Sequence, residues 1–412
     1  MLFDFRQKVF LLMLLFCIVQ NSFLVEHLNY LGLSVSFFFS FLLIVASFFV
    51  KDGFVELSKF EKASYFLFLL ISVLGFYLYW GQSNYSELGQ AKGVKLLLLN
   101  FLFIVPFYLN ISLEIKKVVR VLLVMLAVCT LAFVLLDMMG LGTFFKSIVY
   151  HSSHDGRPRG LSAESSYFGA TVTCISLAIL AFAPRHLKYV AILGIILVLL
   201  STSKGSVACL ILAVLISRVI LHPWNKVLFG LSLTLMFFLA FYFSVVDFSV
   251  EFEGGTSFAT RFTVWYLAID SFFHNLLGVS YAGYLAEFNF RILNAVQFVS
   301  DIPVFGDDAN LYEVANYINT DQSSNIGTKS YFMDNLIAYG LVFLCISFAI
   351  VSRAIRSVKE IKIDKIEHGI SEYWCMTLVI FMVLSLIVFI HGVGFYFYPA
   401  LFMLVNNVNR LR

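Results

Sequence analysis

The feature that most restricts this 412-residue chain is its succession of apolar runs, each close to the length that crosses a bilayer. A hydrocarbon layer about 30 Å thick asks for roughly 20 apolar residues in a helix rising 1.5 Å per residue. Runs of that kind lie near 8–25, 30–50, 63–80, 93–113, 118–139, 166–184, 187–203, 205–221, 226–246, 333–352, 372–391 and 394–409. The seventh and eighth are so tightly joined that they read as a hairpin with short arms. The chain is therefore expected to be an all-α polytopic membrane protein of about 12 transmembrane helices, forming one integral membrane domain over 1–412. Only 13% of its residues are charged, against about a quarter in soluble domains, and its mean hydropathy is +0.91. A net charge of +3 is too mild to point to nucleic acid. All six cysteines fall inside apolar runs, which makes them packing residues and not a disulfide framework or thiol ligand set. The first run has a basic flank but no small-residue cleavage site, so it reads as a retained helix.

Charge orients the spans. Nine basic residues (Lys92, Lys95, Lys146, Arg157, Arg159, Lys204, Arg261, Arg291 and Lys329) fall on one face, and the remainder of the 28 fall on the other. The positive-inside rule makes the richer face cytoplasmic, with both termini on that side. Two stretches on the outer face exceed plain connectors: a loop over 140–165 and a long segment over 247–332.

Cations on the outer face work against the topology bias, so each asks for a partner. For Lys92, Lys95 and Lys146 the external acids suffice. In "GRPRGLSAESSYFG" (156–169), Arg157 and Arg159 flank Pro158, whose ring forbids a helix there and presents both guanidiniums from a loop. Gly160 supplies a turn, and Ser162 is placed to cap the following helix. Two arginines beside a helix N-terminus suit a phosphate or diphosphate. Glu164 in the first turn either complements the helix dipole or takes part in chemistry. Lys204, in "LLSTSKGSV", is either a functional cation between apolar runs or a side chain snorkelling to the interface.

In the long segment, "SFATRFTVWYLAIDSFFHNLLG" sets Phe258, Phe262, Trp265, Ile269, Phe272 and Leu276 at helical spacing, with Thr263, Asp270 and His274 opposite. That pattern predicts an amphipathic helix on the outer interface, with Arg261 near its start. His151 and His154 lack a carboxylate set that would complete a metal site. Asp334 and Asn335, in "GTKSYFMDNLIAYGLVFL", stand at the outer end of the tenth span. There Asp334 suits either a base or a helix cap.

Taken in order, "RPRGLSAESSYFG", "STSKG", "ATRFTVWYLAIDSFFHNLLGVSYAGY" and "FMDNLIAYGL" resemble the O-antigen polymerase/O-antigen ligase superfamily of bacterial inner-membrane glycosyltransferases, over roughly residues 150–345. Polymerases of the Wzy type commonly carry Arg-x-x-Gly and Glu-Pro-Ser at the first motif. This chain has Arg157–Gly160 and Glu164-Ser165-Ser166. Where the family has Ser-Arg-Gly, this chain reads Ser203-Lys204-Gly205. Where His-Asn is frequent before the tenth span, it reads Asp334-Asn335.

The resemblance implies a GT-C-like fold acting at the periplasmic face on an undecaprenyl-diphosphate-linked glycan donor, with a second lipid-linked unit as acceptor. It implies that Arg157, Arg159, Arg261 and Lys204 bind the diphosphate and that Asp334 or Glu164 is the base. Gly160, Ser162, Asn335, Lys329 and Arg291 are further substrate-site candidates. No cofactor and no metal are expected, since arginines can balance the leaving charge. A chain-length regulator is an expected protein partner. An O-antigen ligase and a lipid-linked oligosaccharide flippase are the competing classes. A flippase would have short external loops and a cation-lined cavity.

Overall fold

The computed structural model describes residues 2–19, 35–79, 87–143, 159–162, 165–201, 203–221, 230, 256–301, 314, 328, 330–361, 369–390 and 397–411. Among them run the helices α1 (Leu2–Phe16), α2 (Ser36–Phe48), α3 (Lys59–Tyr79), α4 (Glu87–Ile104), α5 (Ile115–Ala132), α6 (Ser165–Phe182) and α7 (Val190–Leu200). These are followed by α8 (Lys204–Leu221), α9 (Thr256–His274), α10 (Ser280–Ser300), α11 (Tyr331–Lys359), α12 (Glu372–Val388) and α13 (Phe397–Asn406). No strand occurs among the described residues, where the one isolated bridge pairs Phe54 with Leu109. Among the described residues, five helices are long and apolar enough to cross a membrane: α3, α5 with its extension to Met138, α6, α8 and α11. Helices α2, α12 and α13 are apolar but shorter. The expected span at 226–246 lies outside the described residues except for Gly230, as do most of the loop at 140–165 and much of 247–332.

The helices gather into two compact units. The first comprises Met1–Glu56, Leu98–Leu221 and Ile350–Arg412, and the second comprises Leu57–Leu97 and His222–Ala349. In the first, α6 is the central helix, buried along nearly its whole length and packed against α5, α7, α8 and α12. Small residues make that possible, because helices in lipid associate through close approach. A Cβ on Gly169 would stand 2.5 Å from the Ser203 Cβ, and one on Gly194 would stand 1.9 Å from the Ser176 hydroxyl.

Away from α6, side chains from distant stretches of this unit converge on residues 109–112. Arg6 donates to the Asn110 carbonyl at 2.6 Å, and Arg410 donates to the Asn110 side chain. Asn407 accepts from the Ile111 amide and donates to the Leu109 carbonyl.

In the second unit, α10 packs on α9 and α3. Its apolar core includes Val264, Leu267, Tyr284, Phe288 and Ile337. The amphipathic helix expected from Phe258 to Leu276 is present as α9, but its buried face is not the aromatic stripe. Thr260, Thr263, Val264, Leu267, Ala268 and Ser271 are buried, whereas Ile269 and Leu276 remain exposed. The fully buried side is mainly small and hydroxylic, and Trp265, Tyr266 and Phe272 pack against the core from its margins, partly buried. Helix α10 itself was not anticipated. Tyr281, Tyr284, Leu285, Phe288, Ile292, Ala295 and Val299 carry its buried stripe at helical spacing.

Candidate functional site

In the first unit the sequence motifs meet at the N-terminal end of α6. Helix α5 runs on into a π-helical turn, Phe133–Met138, which carries Asp137. Asp137 Oδ2 accepts from the backbone amides of Arg159, at 3.1 Å, and Gly160, at 2.7 Å. Gly160 has a φ of +53°, a conformation that favours glycine, and a Cβ there would fall 2.9 Å from the Phe168 ring. The Ser162 amide closes a turn on the Arg159 carbonyl at 2.9 Å. Helix α6 begins at Ser165, so Ser162 stands in the turn that precedes it. Arg159 is only 6% exposed, which fixes its position through the turn and not through solvent.

The second motif reaches the same helix end from α8. Ser203 and Ser206 share a 2.7 Å hydroxyl contact and pack on Gly169, with Lys204 exposed as the first residue of α8. Gly205 faces the Phe389 ring, which a Cβ would approach to 3.1 Å. Arg159, Gly160, Ser162 and Lys204 are thus arranged around the opening of one buried helix, where the positive end of the helix dipole and nearby cations favour an anion. Arg157 and Glu164 lie outside the described residues. The Asp137 interaction was missed in the sequence, because nothing local links a carboxylate in one span to a turn 22 residues later.

In the second unit the centre is the first turn of α11. Ser330 is its cap, accepting from the Met333 amide at 3.3 Å. Asp334, 5% exposed, uses Oδ1 to accept from the Tyr284 hydroxyl at 2.6 Å and from the Thr328 amide at 2.8 Å. The Thr328 hydroxyl is also 2.8 Å from that oxygen. Asn335 accepts from the Tyr281 hydroxyl at 2.9 Å and donates to the Tyr331 carbonyl at 2.9 Å. Burial pushes both tyrosine pKa values well above the ordinary phenol range, and the Asp334 charge adds to the effect. Both phenols therefore remain donors at neutral pH. Lys329 lies outside the described residues.

Arg291 and Arg261 differ in their surroundings. Arg291 bridges α10 and α9, donating to Glu287 and, at 2.6 Å, to Asp270. Burial alone would lower its pKa, but the hydrogen bonds it donates to the two carboxylates outweigh this and raise it. Glu287 also accepts from Ser271 at 2.9 Å and Asn275 at 2.8 Å. Arg261 lies half-buried on α9. Its Nε, like the indole nitrogen of Trp265 one turn on, is buried without a hydrogen-bonding partner among the described residues. Two buried donors on one helix face suit an oxygen-rich ligand. Trp265 was read from the sequence only as part of the apolar stripe.

No family model matches the chain. It is similar to a Klebsiella pneumoniae protein described as "Uncharacterized 49.5 kDa protein in cps region", to which it is 26% identical over 358 residues, spanning 84% of this chain and 80% of the relative.

Proposed function

We propose that this protein joins oligosaccharide units carried on a membrane lipid diphosphate into a surface polysaccharide, at the periplasmic face of the bacterial inner membrane. A relative from a cps region, a capsule polysaccharide cluster, supports a role in polysaccharide biosynthesis. The observation that carries the finer reading is the convergence of Arg159–Gly160 and Ser203–Lys204–Gly205 on one end of α6. In this reading the chain spans the membrane about twelve times, with both termini in the cytoplasm, which puts that end of α6 outside.

An acceptor hydroxyl on one lipid-linked unit attacks the anomeric carbon of the glycan on another. The bond from that carbon to the diphosphate oxygen breaks, and the lipid diphosphate leaves with the electron pair. The family resemblance assigns Arg157, Arg159, Lys204 and Arg261 to balancing the charge that develops on the leaving group. The hydroxyl proton passes to Asp334 or Glu164. Asn335 orients beside Asp334, and Trp265 adds a donor for the glycan.

Deletion of the gene tests this reading. Single units should persist on the lipid carrier in the periplasmic leaflet, with no longer chains. In a strain that transfers the glycan to lipid A–core, lipopolysaccharide should appear as core and core plus one unit. Bare core with long carrier-bound chains would make the protein a ligase. Bare core with single units confined to the cytoplasmic leaflet would make it a flippase.

A further inference from the structure

At the opposite end of α6 the first unit contains a cavity of about 520 Å³. Phe182, which lines it, lies roughly 25 Å along the helix from Ser165 at 1.5 Å per residue, so it is separate from the site proposed above. The volume falls within the range of about 300–1,000 Å³ typical of small-molecule sites. Ten described residues line it: eight are apolar, two are the cations Lys116 and Arg120, and none of the ten is an acid. The lining therefore selects an amphiphile and fixes the sign of its head.

The two cations are an i, i+4 pair on one face of α5, both exposed, and neither forms an ion pair with a described residue. Neighbouring Lys117 differs, since it pairs with Glu114 at 2.7 Å. Lys116 and Arg120 also stand in the first turns of α5, where the helix amides already favour negative charge. The loop from α6 to α7 adds to the positive field. Lys188 has its pKa lowered by burial, with the charge of Arg185 acting in the same direction. In the topology proposed above, this end of α6 lies at the cytoplasmic leaflet, where basic pockets between spans take acidic lipid heads.

We infer that this cavity holds one anionic glycerophospholipid, with its phosphate between Lys116 and Arg120 and an acyl chain along Leu123, Phe182, Leu187 and Leu411. Native mass spectrometry of the full chain in detergent, with added phosphatidylglycerol, phosphatidylcholine or undecaprenyl phosphate, tests it. Phosphatidylglycerol should be retained in preference to phosphatidylcholine. The double variant Lys116→Gln/Arg120→Gln should weaken that retention on the order of ten-fold, while Lys117→Gln leaves it unchanged. Leu123→Trp, which fills the cavity without touching the charges, should also displace the lipid from protein that keeps its helical circular dichroism. Equal retention of both phospholipids, or unchanged binding in the double and Leu123 variants, would overturn the inference. So would a stronger hold on undecaprenyl phosphate lost in the same variants, which would make the cavity a carrier site.

Discussion

Asp334 illustrates how much one side chain can be asked to do. Its Oδ1 ties Thr328, ahead of α11, and Tyr284, on α10, to the first turn of α11. An asparagine can present an amide oxygen to the same donors but cannot take a proton from an acceptor hydroxyl. Asp334→Asn is therefore expected to leave folding intact and to lower polymer formation by roughly 100-fold. Polysaccharide chain-length profiles, with thermal unfolding of the purified protein as the control, measure both. Full activity would transfer the base role to Glu164. Tyr284→Phe removes one donor and is expected to cost about 1 kcal/mol of stability, with a much smaller effect on chain formation. The sequence made Asp334 visible through its place between polar residues and an apolar run. It did not reveal Tyr284, which reaches the site from a helix 50 residues away.

At the scale of elements, α11 is not one straight rod. It breaks at Gly340, with φ 46° and ψ −126°, and there Leu341 donates to the Leu276 carbonyl at 2.8 Å. Val279 returns a bond to the Ile337 carbonyl at 3.2 Å, so the turn between α9 and α10 is laced into the kink. A Cβ on Gly340 would lie 2.1 Å from the Leu276 oxygen, and Gly278, with φ +78°, is as tightly placed against Ala338. Gly340→Ala should cost on the order of 3 kcal/mol, because both the dihedral and the backbone contact are violated. Gly140→Ala has a similar φ of +69° but open space around it, so its cost should stay near 1 kcal/mol. Comparing the two in thermal unfolding separates the steric part from the conformational part, and equal losses would refute the steric account. Periodicity exposed α9 but not which side packs on protein, because hydroxyls and alanines register weakly on a hydropathy scale. Helix α10 escaped notice because Glu287, Asn289, Arg291 and Asn294 interrupt its apolar stripe. The kink was hidden for another reason: the bonds that hold it, Leu341 to Leu276 and Val279 to Ile337, join residues far apart in sequence.

For the whole molecule, hydropathy was the most legible property, since long apolar runs map directly onto α3, α5, α6, α8 and α11. How those helices sort into two units was not legible, because each unit draws on chain segments far apart in sequence. Orientation can be tested with thiols. Five of the six cysteines are buried and Cys345 is half-buried, so the protein should react weakly with an impermeant maleimide. Ser152→Cys should then label in intact cells and Lys359→Cys only after permeabilisation, and the reverse pattern would invert the topology. The convergence on Asn110 carries a consequence for biogenesis. Arg410 lies 300 residues beyond Asn110. At ~5–20 residues per second, a ribosome takes roughly 15–60 s to cover that distance. Through that interval the Asn110 side chain goes without Arg410, while the second unit's later segments are still being synthesised.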